Sequence, residues 1–136
     1  MKNFRPIILV EDDEVDVMTV VRAFKDLAIS NKIIIKENGE AAHEYLTDQA
    51  NVKPCFILLD LNMPKMNGIE FLQIMKADEE LNKIPIAILT TSNTRQDIEK
   101  CFSKGAAGYF VKSENYDNSV KSIDKISTYW SLSKLP

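Results

Sequence analysis

Two apolar runs, Ile7-Ile8-Leu9-Val10 and Phe56-Ile57-Leu58-Leu59, end without transition in carboxylates: Glu11-Asp12-Asp13 after the first and Asp60 after the second. Short continuous apolar runs of this kind suit strands of a parallel sheet that is covered by helices on both faces. Two such strands place their acidic ends side by side at the carboxyl edge of one sheet, which is where open α/β folds bind ligands. The pattern therefore predicts a metal-and-phosphate site.

The remainder of the chain alternates in step with that reading. Ile33-Ile34-Ile35, Ile86 to Leu89 and Tyr109-Phe110-Val111 supply three further strands. A first helix is expected to open at Asp16 as its N-cap and to turn Val17, Val21, Phe24 and Ala28 toward the sheet. A second follows the Asn38-Gly39 turn with Ala42, Tyr45 and Leu46, and a third starts near Gly68 with Ile69, Leu72 and Met75 on one face. The fourth carries Ile98, Cys101 and Phe102 inward, and the last carries Val120, Ile123, Ile126 and Trp130. Five alternating βα units predict an α/β fold: a doubly wound, five-stranded parallel sheet with right-handed crossovers. The 136 residues, 45% of them hydrophobic, suffice for one core, so a single domain over 1–136 with no output domain is expected.

Composition narrows the function. A net charge of −3 and the lack of a basic stripe exclude a nucleic-acid surface, which needs clustered positive charge. The apolar stretch after Pro6 is too short for a signal peptide or membrane span, so a cytoplasmic chain with no membrane partner is expected. Cys55 and Cys101 are isolated and read as reduced structural thiols, and His43 has no ligand at helical spacing.

The strand ends deliver Glu11 and Asp12, Asp60, Thr90 and Lys112 to one edge. Clustered carboxylates repel one another, and a hard divalent cation relieves the repulsion through oxygen ligands; Mg²⁺, which keeps waters that a phosphate can replace, is the natural guest. An aspartate oxygen at Asp60 can then attack a phosphoryl group and hold it as an acyl phosphate. The Thr90 hydroxyl and the Lys112 ammonium would hold the remaining phosphoryl oxygens. Strand-end carboxylates are often merely solvated or cap a helix, and that reading is preferred for Glu14 and Asp16. Asp60 differs because it follows a buried run, where an unpartnered charge is costly.

These residues stand in the motifs Leu9-Val10-Glu11-Asp12, Leu59-Asp60-Leu61-Asn62-Met63-Pro64, Ile88-Leu89-Thr90-Thr91-Ser92 and Gly108-Tyr109-Phe110-Val111-Lys112. Together they resemble the receiver domain of bacterial two-component response regulators, from Ile7 to the last helix. The resemblance implies a flavodoxin-like strand order of 2-1-3-4-5 and a phosphoryl group accepted by Asp60 from the phosphohistidine of a sensor kinase. It implies Mg²⁺ bound by Asp12 directly, by Glu11 partly through water, by Asp60 and by the backbone carbonyl of Asn62, with Asp13 a secondary candidate. Thr90 would move toward the phosphoryl group as Tyr109 turns inward, coupling the site to the face of helix four, strand five and helix five. Asn62 and Ser92 would border the attacking water; neither is a strong base at pH 7, so a phosphoryl lifetime of minutes or longer is expected.

One departure is Ser113, where the family usually has proline, so the Lys112-Ser113 bond is either trans or strained. The Lys-Ser pair, Thr90-Thr91-Ser92 and Tyr129-Trp130 before a Leu-Pro tail resemble the single-domain regulators that pair with bacterial phytochromes. Such a chain catalyses its own phosphorylation and slow dephosphorylation but acts mainly by protein contact. It would be either an effector or a relay to a histidine phosphotransfer protein. Phosphorylation is expected to favour a homodimer through helix four, strand five and helix five, with Tyr129 and Trp130 at the contact; the alternative has Trp130 capping one monomer's core. Two other classes fit poorly. An aspartyl-phosphate hydrolase would carry a second Asp at the Asn62 position, and a flavodoxin-like cofactor module would not place Glu11-Asp12-Asp13 where phosphate must sit.

Overall fold

A computed structural model describes residues 5–132, with side chains through 129. The elements run β1 (Ile7–Val10), α1 (Glu14–Asp26), β2 (Ile33–Lys36), α2 (Gly39–Thr47), β3 (Phe56–Leu59), α3 (Gly68–Ala77), β4 (Ile86–Thr90), α4 (Arg95–Ser103), β5 (Gly108–Val111) and α5 (Tyr116–Leu132), with a 3₁₀ turn at Leu81–Lys83 before β4. The strands form one parallel sheet in the order β2-β1-β3-β4-β5, as the resemblance implies.

Alternation along the strands divides the core in two. Ile7, Leu9, Phe56 and Leu58 point to the face covered by α1 and α5, where Phe24, Ile123 and Ile126 meet them. Ile8, Val10, Ile57 and Leu59 point to the other face, against Leu46, Phe71 and Met75 of α2 and α3. Because both faces are covered, the central strands are apolar throughout rather than alternating, and this is what made them visible as runs.

Two helices differ from expectation. Helix α1 opens earlier, at Glu14, because Asp13 rather than Asp16 is its N-cap: the Asp13 carboxylate accepts from the Asp16 backbone N–H at 3.0 Å. Its inward face carries Val20, Ala23 and Phe24, while Val21 is exposed and Ala28 lies beyond the helix at φ 57°. Apolar residues at Val15, Val17, Met18, Val20 and Val21 admit more than one stripe, and contact with α5 selects among them. In α4 only Cys101 is fully buried, and Phe102, expected inward, is 49% exposed. The expected placement of Trp130 and of the Leu135-Pro136 tail lies outside the described side chains.

The ladder extends one residue past three of the strands. The backbone N–H of Glu11 donates to Lys36 O at 2.9 Å, that of Asp60 to Val10 O at 3.1 Å, and that of Lys112 to Thr90 O at 2.6 Å. Glu11, Asp60 and Lys112 are thus each the first residue beyond a strand yet held by the sheet. The β3–α3 loop folds back over this edge, with Gly68 N–H donating to Leu61 O at 3.0 Å. Helix α3 then starts from a capping box in which Asn67 and Glu70 each accept from the other's backbone N–H. Among the described residues no helix is long and apolar enough to cross a membrane.

Candidate functional site

At the carboxyl edge one ligand oxygen from each of Glu11, Asp12 and Asp60 lies within 4.8 Å of the others. Asp60 is only 7% exposed and Glu11 is buried, whereas Asp12 opens to solvent. Burial pushes the Glu11 carboxyl up to about 7; the Lys112 hydrogen bond opposes that rise and the Asp60 charge adds to it. Three hard oxygen donors converging in this way suit a small divalent cation, which offsets their repulsion. Asp13, the secondary candidate, uses its carboxylate in the α1 cap.

Lys112 reaches across this cluster. Its Nζ donates to Glu11 Oε1 at 2.5 Å and to Asp16 Oδ2 at 2.8 Å, and it stands 3.7 Å from Asp60 Oδ2. Burial alone would lower its pKa, but the bonds to Asp16 and Glu11 outweigh that and hold it above the usual lysine value. The ammonium is therefore charged at neutral pH. The Lys112-Ser113 peptide is trans, as are all peptide bonds among the described residues.

Thr90, with no exposed surface, lies beneath the cleft, and its Oγ1 accepts from the Ser92 N–H at 3.4 Å. Ser92 continues the connection: its carbonyl accepts from the Tyr109 hydroxyl at 3.0 Å, and its own hydroxyl donates to Asp97 Oδ2 at 2.5 Å. Thr90, Ser92 and Tyr109 are thus linked in one chain from the site edge to β5 and α4. Asn62 is exposed at the mouth of the acidic cleft. Of the residues singled out in the sequence, Glu11, Asp12, Asp60, Asn62 and Lys112 line one cleft at this edge, whereas Thr90, Ser92 and Tyr109 are bonded to one another beside it and are not part of its lining. Three others were missed there: Asp16, which bonds Lys112; Thr91, which lines the cleft; and Asp97, which holds Ser92. The available signal for Asp16 was its position in the first turn of α1, from which helical side chains lean back toward the N-terminus and so toward the edge.

The sheet order and the acidic, lysine-bearing cleft define a flavodoxin-like α/β protein whose site is built at the strand ends. The response regulator receiver domain family matches residues 7–124, and the chain belongs to that family. It is 34% identical over 128 residues to the response regulator Rcp1 of a Synechocystis strain, covering 91% of this chain and 87% of Rcp1. The Mn²⁺-bound structure of Rcp1 superposes with a TM-score of 0.88, covering 97% of this chain and 99% of that one. The phosphorylated cyanobacterial phytochrome response regulator RcpA is 32% identical with a TM-score of 0.90, covering 98% of this chain and 99% of that one. The chain is accordingly a two-component signalling switch, and sensor kinases phosphorylate receiver domains of this kind.

Proposed function

We propose that this receiver accepts a phosphoryl group on Asp60 from a phytochrome-type sensor histidine kinase in a Mg²⁺-dependent reaction, works in the cytoplasm as one receiver domain, and signals by protein contact. The observation that carries the reading is the setting of Asp60: nearly buried at the carboxyl edge, 3.7 Å from the Lys112 ammonium and grouped with Glu11 and Asp12. Likeness to the phytochrome response regulator RcpA supports the class of kinase, and likeness to Mn²⁺-bound Rcp1 supports a divalent ion.

Glu11, Asp12, Asp60 and the carbonyl of Asn62 would hold the metal, which when bound offsets negative charge on the carboxylates and the incoming phosphoryl group. An Asp60 oxygen attacks phosphorus as the P–N bond of the phosphohistidine breaks. The electron pair leaves with the imidazole, which departs neutral because its other nitrogen carries a proton. Lys112 keeps its proton and donates a hydrogen bond to a phosphoryl oxygen, and the Thr90 hydroxyl donates to another. Tyr109, joined to Thr90 through Ser92, carries the movement to β5 and α4. Asn62 and Ser92 border the water that later hydrolyses the acyl phosphate; neither is a base at pH 7, which supports slow decay. Incubation with a phosphorylated kinase or acetyl phosphate should label the chain only while Mg²⁺ is present. A chain that stays unlabelled, or is labelled equally with chelator, contradicts the proposal.

The metal assignment separates two neighbouring aspartates. Asp12→Ala should weaken Mg²⁺ or Mn²⁺ binding at least about tenfold with little change in stability, because it removes an anionic oxygen from the cluster. Asp13→Ala should leave metal affinity within about threefold and lower stability by about 1 kcal/mol through loss of the α1 cap. Calorimetric titration and urea unfolding read the two effects, and the opposite ranking would shift the metal register by one residue.

Phosphorylation is proposed to pair two chains through α4, β5 and α5. Strand β5 is a sheet edge, and Phe102, Val111 and Tyr129 are exposed on these elements, Tyr129 to 63%. Burying such side chains at a two-fold contact contributes on the order of 2 to 4 kcal/mol before ordering costs. Light scattering should show the mass doubling on addition of beryllofluoride. A monomer in both states at high concentration, or a dimer unchanged by Phe102→Ala and Tyr129→Ala, contradicts this interface.

A further inference from the structure

Lys112 has three N–H donors and three carboxylates around it, but only two are in hydrogen-bond range. Glu11 Oε1 stands at 2.5 Å, Asp16 Oδ2 at 2.8 Å and Asp60 Oδ2 at 3.7 Å. A lysine ammonium is a point charge on a flexible stem, so its aim depends on what holds it. The neighbouring Ser113 is engaged elsewhere: its hydroxyl accepts from the Asn115 N–H at 3.1 Å and its carbonyl accepts from the Ser119 hydroxyl at 3.3 Å.

Asp16 is itself anchored. Its backbone N–H donates to the Asp13 cap, and its position in the first turn of α1 directs its carboxylate to the sheet edge. It stands outside the group of converging carboxylates Glu11, Asp12 and Asp60. A residue that grips the lysine without joining the metal cluster has one evident role.

We propose that Asp16 is a positioning residue: with Glu11 it fixes two of the three Lys112 donors, so that the third faces the space beside Asp60 Oδ2 where a phosphoryl oxygen arrives. The inference rests on Asp60 being the phosphoryl acceptor. In the transfer from acetyl phosphate, the Asp60 O–P bond forms as the P–O bond to acetate breaks and the electron pair leaves with acetate. Lys112 remains protonated throughout.

The test is the initial rate of phosphorylation by acetyl phosphate at saturating Mg²⁺ for the wild type, Asp16→Ala, Asp16→Asn, Lys112→Ala and the Asp16→Ala/Lys112→Ala double variant. Asp16 is partly exposed and helical, so alanine is compatible with folding there. Asp16→Ala should slow the reaction about tenfold, since misaiming a charged group by a fraction of an ångström weakens its hold on the transferring group. Asp16→Asn, which keeps an acceptor oxygen, should recover to within about threefold of wild type. In the Lys112→Ala background, Asp16→Ala should have no further effect, because the two act as one unit. Manganese affinity should be unchanged in Asp16→Ala. A wild-type rate in Asp16→Ala, or the same tenfold loss in both backgrounds, overturns the assignment while leaving Asp60 as acceptor. Labelling that persists in Asp60→Asn overturns the underlying reading instead.

Discussion

Asp60→Asn should take up no phosphoryl group from acetyl phosphate or from a phosphorylated kinase, a loss of at least about 100-fold in initial rate. Asparagine fills the same space, but its amide oxygen carries no negative charge and is a poor nucleophile toward phosphorus. The loss is chemical rather than structural. Lys112 keeps its two closer carboxylates, Glu11 and Asp16, and the substitution removes one charge from a crowded acidic cluster, so the fold should stay intact. Metal affinity should fall as well, because one of three clustered anionic groups becomes neutral. Phosphate-affinity electrophoresis measures the first effect and calorimetry the second. Undiminished labelling of a folded Asp60→Asn protein would mean that another side chain is the acceptor.

Gly68→Ala should be the most damaging single-methyl change at the site. A Cβ placed there would stand 2.5 Å from Asp60 O and 2.7 Å from Leu61 Cα, and both neighbours are backbone atoms that cannot rotate away. The β3–α3 loop can accept the methyl only by moving off the sheet edge, breaking the Gly68 N–H bond to Leu61 O and displacing Asp60. Overpacking of this kind costs about 2 to 3 kcal/mol, read as a lower urea midpoint with an unchanged slope. Phosphorylation should slow in parallel, because the attacking oxygen moves with its backbone. A variant with wild-type stability and rate would show that the loop is looser than its geometry indicates.

The fold was legible because the three central strands, β1, β3 and β4, are buried on both faces, so each appears as an unbroken apolar run with a candidate site residue at its end or directly after it. Glu11, Asp60 and Lys112 are each the first residue beyond a strand, and position along the chain was enough to find them. Helical faces were less legible. Apolar residues stand on several sides of α1, and the choice of Val20 over Val21 was made by packing against α5, distant in sequence. Phe71 was overlooked because Ile69, Leu72 and Met75 already completed a plausible stripe in α3, yet it is fully buried. Asp16 was read as a solvated cap because its partner Lys112 is 96 residues away. Only the shared sheet edge brings the two together. The Gly68 approach was hidden for the same reason, since nothing in the local sequence says where a loop returns.

Chemical mapping of the phosphorylated residue identifies the acceptor side chain without mutation. After transfer from a phosphorylated sensor kinase, borohydride reduces an acyl phosphate to an alcohol, converting a phosphorylated aspartate to homoserine, which peptide mass spectrometry locates. The expected result is homoserine at position 60, with Asp12, Asp13 and Asp16 unmodified. An unmodified Asp60 in a chain reduced at one of those aspartates, or carrying its phosphoryl group on His43, would show that Asp60 is not the acceptor.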